Sequence, residues 1–123
     1  MAAGAEKQLS GRKVLVVEDE MLVAIDYCQH LKDAGAEIVG PFTSVSQAQT
    51  SLDTADVDFA VLDYALADET SDDLQAALER SHIPFVVITG YPRVLVRRTD
   101  DQQILTKPIS PDALLETVKA ACL

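Results

Sequence analysis

From Lys13 onward the chain alternates uninterrupted apolar runs with stretches whose apolar residues recur every three or four positions. Residues 14–17 (Val-Leu-Val-Val), 59–62 (Phe-Ala-Val-Leu) and 85–88 (Phe-Val-Val-Ile) are continuous runs. A continuous run predicts a strand buried on both faces, as in a parallel sheet covered by helices on each side. Residues 37–39 read as a further strand closed by Gly40-Pro41, and Ile104-Leu105 as a weak last one. Between them lie helical patterns. Met21, Leu22, Ile25, Cys28 and Leu31 mark the inner face of the first helix, which Gly35 stops. Ser44 with Gln47 forms a capping box ahead of Val45, Ala48 and Leu52. Thr70 or Ser71 caps a third helix that turns Leu74, Ala77 and Leu78 inward. Ser110 at the N-cap, Pro111 behind it and Asp112 in the first turn start the last helix, whose stripe is Leu114, Leu115, Val118 and Ala121.

Strand then helix, repeated along the chain, predicts an α/β fold: a five-stranded, doubly wound parallel sheet with helices on both faces. Residues 91–102 are the exception. They contain Pro92, β-branched Val94 and Val96, and Asp100-Asp101. An average helix takes about 11 residues and its loops roughly 2 to 6 each, so the fourth helix is expected to be short or absent. Residues 1–11 read as a flexible polar leader, and residues 12–123 as one domain.

The formal net charge of −10 narrows the partners. So acidic a surface repels nucleic-acid backbones and anionic membranes alike. No signal-peptide pattern and no membrane-length apolar run occur, so a cytoplasmic location is expected. Cys28 and Cys122 have no metal-like spacing and are read as reduced, inert thiols.

In an open α/β sheet, ligands bind outside the carboxyl ends of the strands. This sequence places Glu18 and Asp19 after the first strand, Asp63 after the third, Thr89 and Gly90 after the fourth, and Lys107 after the fifth. Singly, each has a bland reading: an acidic helix start, a turn cap, a strand-end threonine, a loop lysine. Together they crowd carboxylates that a cation must join or a raised pKa must relieve. Magnesium takes oxygen ligands, often one or two carboxylates, and keeps several waters. One carboxylate is then free to act as a nucleophile toward phosphorus, with a hydroxyl and an ammonium to hold phosphoryl oxygens.

The segments Val-Leu-Val-Val-Glu-Asp-Glu (14–20), Ala-Val-Leu-Asp-Tyr (60–64), Val-Val-Ile-Thr-Gly (86–90) and Leu-Thr-Lys-Pro-Ile (105–109) resemble the receiver domain of bacterial two-component response regulators, over roughly residues 12–122. The resemblance implies a flavodoxin-like strand order 2-1-3-4-5. It implies Asp63 as phosphoacceptor and Mg2+, or Mn2+ or Ca2+, on Glu18, Asp19, Asp63 and the Ala65 carbonyl. It also implies Thr89 and Lys107 as phosphoryl-binding groups, and a cis peptide before Pro108. The partners implied are a histidine kinase and a downstream protein or phosphotransfer protein. Such a domain assists its own phosphorylation and dephosphorylation and is not otherwise an enzyme. No output sequence follows the last helix, so a stand-alone regulator or phosphorelay member is expected.

Two departures stand out. Receivers usually carry a switching aromatic three residues before the lysine, and here that residue is Ile104. Pro84-Phe85-Val86-Val87-Ile88-Thr89-Gly90-Tyr91 is similar to the Pro-Phe-x-Phe-Ala-Thr-Gly-Tyr pattern of receivers associated with HWE-class kinases, with Val87 and Ile88 departing from it. Tyr91 is therefore the expected substitute switch. A phosphorylation-independent binding module is disfavoured by the intact acidic pair, threonine and lysine. A nucleotide or flavin protein would need a Gly-rich loop where Glu18-Asp19-Glu20 stands. His30 and His82 lack the four-helix context of a histidine phosphotransfer domain.

Overall fold

The computed structural model describes residues 8–90 and 102–122. In chain order the elements are β1 (Lys13–Val17), α1 (Met21–Asp33), β2 (Glu37–Phe42), α2 (Val45–Leu52), β3 (Phe59–Asp63), β4 (Ala65–Leu66), β5 (Glu69–Thr70), α3 (Asp72–Arg80), β6 (Phe85–Thr89), β7 (Gln102–Thr106) and α4 (Pro111–Cys122). Five parallel strands form one sheet in the order β2-β1-β3-β6-β7, while β4 and β5 make a separate antiparallel hairpin. With the hairpin set aside, this is the 2-1-3-4-5 order.

The continuous apolar runs are explained by the two faces of the sheet. Val14, Val16, Phe59, Val61, Val86 and Ile88 pack with α1 and α4 on one face. Leu15, Val17, Ala60, Leu62, Phe85 and Val87 pack with α2 and α3 on the other. Successive residues of a strand thus serve opposite cores, and every residue of β3 and β6 is buried.

Several details differ from the sequence reading. The first helix buries Ala24, Tyr27, Cys28 and Leu31 and leaves Met21, Leu22 and Ile25 exposed. The 24-27-28-31 spacing is itself a full helical stripe, and it brings small Ala24 against the sheet, so the helix is rotated away from the stripe expected. Strand β2 does not stop at Gly40-Pro41; it runs through a cis Gly40–Pro41 bond to Phe42, with a register irregularity against β1. Ala121 is exposed, and Cys122 packs on the core instead. Leu9 is fully buried and its N–H donates to the Ala34 carbonyl, so packing begins ahead of residue 12. The expected brevity of a fourth helix falls on residues 91–101, outside the described residues.

Candidate functional site

The carboxyl ends of β1, β3 and β7 set Glu18, Asp19, Asp63 and Lys107 around one point. Glu18 leaves β1 with its N–H bonded to the Phe42 carbonyl (3.0 Å) and its side chain fully buried. Asp63 is the last residue of β3, 6% exposed, and the next N–H, of Tyr64, continues the ladder to Ile88. Lys107 follows β7; its N–H donates to the Thr89 carbonyl (2.8 Å), and the Lys107–Pro108 peptide is cis, as the resemblance implied. From there the ammonium reaches Asp63 Oδ1 (3.1 Å), Asp63 Oδ2 (3.3 Å) and Glu18 Oε1 (3.4 Å). Asp19 lies half-buried beside them, one oxygen accepting from the Ala67 N–H (2.9 Å).

One oxygen each from Glu18, Asp19 and Asp63 lies within 4.8 Å of the other two. Among the described residues, three carboxylates thus face one lysine. Burial, reinforced by a hydrogen bond with Asp63, pushes the Glu18 carboxyl up to about 7. Burial likewise raises Asp63, although its bonds with Glu18 and Lys107 pull the other way. For Lys107, burial favours the neutral amine, but the bond to Asp63 and the charges of Asp63 and Glu18 outweigh it and raise the pKa. Tyr27, buried on α1, is pushed up to about 12 by burial and then by the charge of Glu18. Among the described residues the positive charge facing these buried carboxylates is that of Lys107, and burial favours their protonated forms. A set made only of oxygens, with buried carboxylates short of compensation, suits a hard divalent cation.

The other expected residues are distributed as follows. Thr89 is buried at the end of β6, opposite Thr106 of β7. Ala65 opens the hairpin, paired with Thr70. Ile104 is buried among the apolar side chains between the sheet and α2 and α3. Tyr91 lies outside the described residues. Sequence reasoning missed the hairpin. Its two-residue strands are too short for periodicity to register, and nothing local marks Ala67 or Glu69 as partners of residues far away in the chain.

Comparison with known proteins agrees with this geometry. The family model for the response regulator receiver domain matches residues 14–119. The transcriptional regulatory protein PdtaR of Mycobacterium tuberculosis is 30% identical over 115 residues, covering 89% of this chain and 56% of that protein. The chain thus spans about half the length of the curated relatives it matches. Among solved structures, the response regulator PhyR from Brucella abortus superposes with a TM-score of 0.81 at 26% identity, covering 98% of this chain and 52% of that one. SdrG from Sphingomonas melonis superposes with a TM-score of 0.77 at 31% identity, covering 91% and 97%. Fold, strand-end chemistry and sequence likeness converge: this chain belongs to the response regulator receiver domain family of two-component signalling, whose general role is that of a phosphoacceptor.

Proposed function

We propose that this domain accepts a phosphoryl group from a histidine kinase onto Asp63 and passes the signal on through protein contacts or a phosphorelay. The observation that carries the reading is the Asp63 carboxylate at the mouth of the sheet, buried and held at both oxygens by Lys107, with Glu18 and Asp19 beside it. In the transfer, an Asp63 oxygen attacks phosphorus in line. The new P–O bond forms as the P–N bond of the phosphohistidine breaks, and the imidazole leaves and takes up a proton. Lys107 moves its charge from the carboxylate to the incoming phosphoryl oxygens, and the Thr89 hydroxyl turns to a further one. Glu18, Asp19, Asp63 and the Ala65 carbonyl would hold a divalent cation, Mg2+ or in its place Mn2+ or Ca2+, which when bound supplies neutralisation of the developing charge. Water attack on the acyl phosphate returns the domain to its starting state.

The kinase is proposed to belong to the HWE class, on the partial motif at residues 84–91. The donor must approach over the rim of the site. There Leu22, 84% exposed, lines an open groove with Lys107, Pro108 and Ile109, and Met21 and Ile25 are exposed on the same helix. Exposed apolar side chains beside a reacting centre suit a protein donor. No described helix is long and apolar enough to cross a membrane.

Incubation with acetyl phosphate and magnesium, read by intact-protein mass, tests the chemistry. Wild type is expected to gain one phosphoryl group and Asp63→Asn none; an unmodified wild type overturns the reading. Leu22→Asp is expected to slow transfer from a phosphorylated kinase while leaving acetyl phosphate labelling intact.

A further inference from the structure

The β4–β5 hairpin is fastened at two points that lie on opposite sides of it. On the site side, the Ala67 N–H donates to Asp19 Oδ2 at 2.9 Å. On the far side, Glu69 Oε2 accepts from the Val45 N–H at 3.1 Å, at the first turn of α2. That N–H is one of the orphan donors of the helix start, and Ser44 Oγ, the local cap, already serves a different one, on Gln47. Between the two fastenings the hairpin is short. Ala65 pairs with Thr70 and Leu66 with Glu69, and Leu66 is fully buried in the core shared with Val45 and Ala48.

The hairpin turn is also strained. Ala67 has φ 48°. A side-chain-bearing residue rarely adopts that conformation and is held there only where its surroundings over-determine it. The bond from the Ala67 N–H to Asp19 holds the turn itself, and the bond from Val45 to Glu69 holds the residue that follows it. A two-residue turn with positive φ at its first position alone ordinarily carries glycine there, and this chain has Ala67 followed by Asp68.

We propose that Glu69 is a positioning residue that couples the acidic cluster to the start of α2. By clamping the hairpin to Val45 it fixes where Ala65 and Ala67 stand over the site. In return, a cation or phosphoryl group at Asp19 and Asp63 is felt at the α2 N-terminus. The second statement follows from the first, because coupling between two sites is reciprocal. The inference rests on the reading of the site as a cation and phosphoryl site. It gives the signal a route away from the position where an aromatic would have swung, which Ile104 fills.

The test is magnesium titration of the full chain followed by amide NMR, with sodium chloride at matched ionic strength as control, then repeated with beryllofluoride as the phosphoryl mimic. In wild type the Ala67 and Val45 amides are expected to shift with one common midpoint. Glu69→Ala is expected to keep the Ala67 response, lose that of Val45, and weaken the magnesium midpoint by about three- to tenfold, in the usual range of coupling between sites. Glu69→Gln retains an acceptor oxygen and is expected to restore most of both. If Ala67 responds while Val45 stays still in wild type, or if Val45 responds equally in Glu69→Ala, the coupling is overturned and the site reading stands. If neither amide responds to magnesium, both fail.

Discussion

Two flanks meet at Asp63, and they are built from different materials. On the β7 flank the strand carries Ile104, 5% exposed, into a core with Leu66, Leu74, Leu78, Phe85 and Val87, and its one polar reach into the site is Lys107. On the hairpin flank Leu66 roots β4 in that same core, and beyond it the links are two hydrogen bonds, Ala67 to Asp19 and Val45 to Glu69. Interdigitated apolar side chains resist displacement because any gap forfeits contacts on every side. Hydrogen bonds near water can be exchanged for others at about 1 kcal/mol net. The β7 flank is therefore a fixed wall that holds a charge, and the hairpin's turn beyond Leu66, held by those two bonds, is the part that can answer to what the site contains.

Lys107 is the point at which the wall touches the chemistry. Lys107→Met is expected to slow acetyl phosphate labelling on the order of a hundredfold, the usual cost of removing one preorganised charged donor. Magnesium should bind at least as tightly, since the ammonium no longer competes for Asp63 and Glu18. Labelling at the wild-type rate would show that Lys107 only balances ground-state charge. Deeper in the same flank, Ile104→Ala removes buried volume and should cost about 2–4 kcal/mol in urea denaturation. Its magnesium midpoint is expected to stay put; a large change there would mean that the apolar flank also conducts.

The charge imbalance of the site gives a prediction in pH. Glu18 is raised from an ordinary 4.5 to about 7 in the folded protein by burial and its bond with Asp63, and Asp63 is raised in the same direction. The folded state thus holds a proton that the unfolded chain has released. This stabilisation is complete below pH 4.5 and is lost as pH climbs to about 7. For chelator-treated protein, stability should fall by on the order of 2–3 kcal/mol over that window, from the cost of charging buried groups. Saturating magnesium should flatten the slope. A chelated protein whose melting temperature is level across the window would show that water already relieves the cluster.

What could be read in the sequence follows the same division. The wall was legible: the continuous runs at residues 14–17, 59–62 and 85–88 are short and rich in β-branched and aromatic residues, which favours strands covered on both faces, and their ends place Glu18, Asp63 and Thr89 at one edge. Lys107 was legible by the same logic, from its place after the last strand. The rotation of α1 was not, because Met21, Leu22 and Ile25 form a stripe as apolar as the buried one, and only contact with the sheet chooses between them. The hairpin was not legible either. Its decisive bonds join residues 48 and 24 positions apart, and they arise from a turn at positive φ that alanine does not advertise.

The smallest effect separates the two supports of α2. Ser44 Oγ accepts from Gln47 N at 3.3 Å, while Gln47 Oε1 accepts from Thr43 N rather than from Ser44, so the capping box is offset by one residue. Ser44→Ala should cost about 1 kcal/mol of stability, as cap removal usually does. Its magnesium midpoint and its Val45 shift should match wild type, because the bond between Glu69 and Val45 is untouched. Glu69→Ala removes a cap of similar worth and should destabilise by a similar amount, yet it is expected to move the midpoint. Two variants of equal stability loss and unequal magnesium affinity would show that Glu69 acts on the site rather than merely on the helix. Equal affinities would reduce it to a second cap.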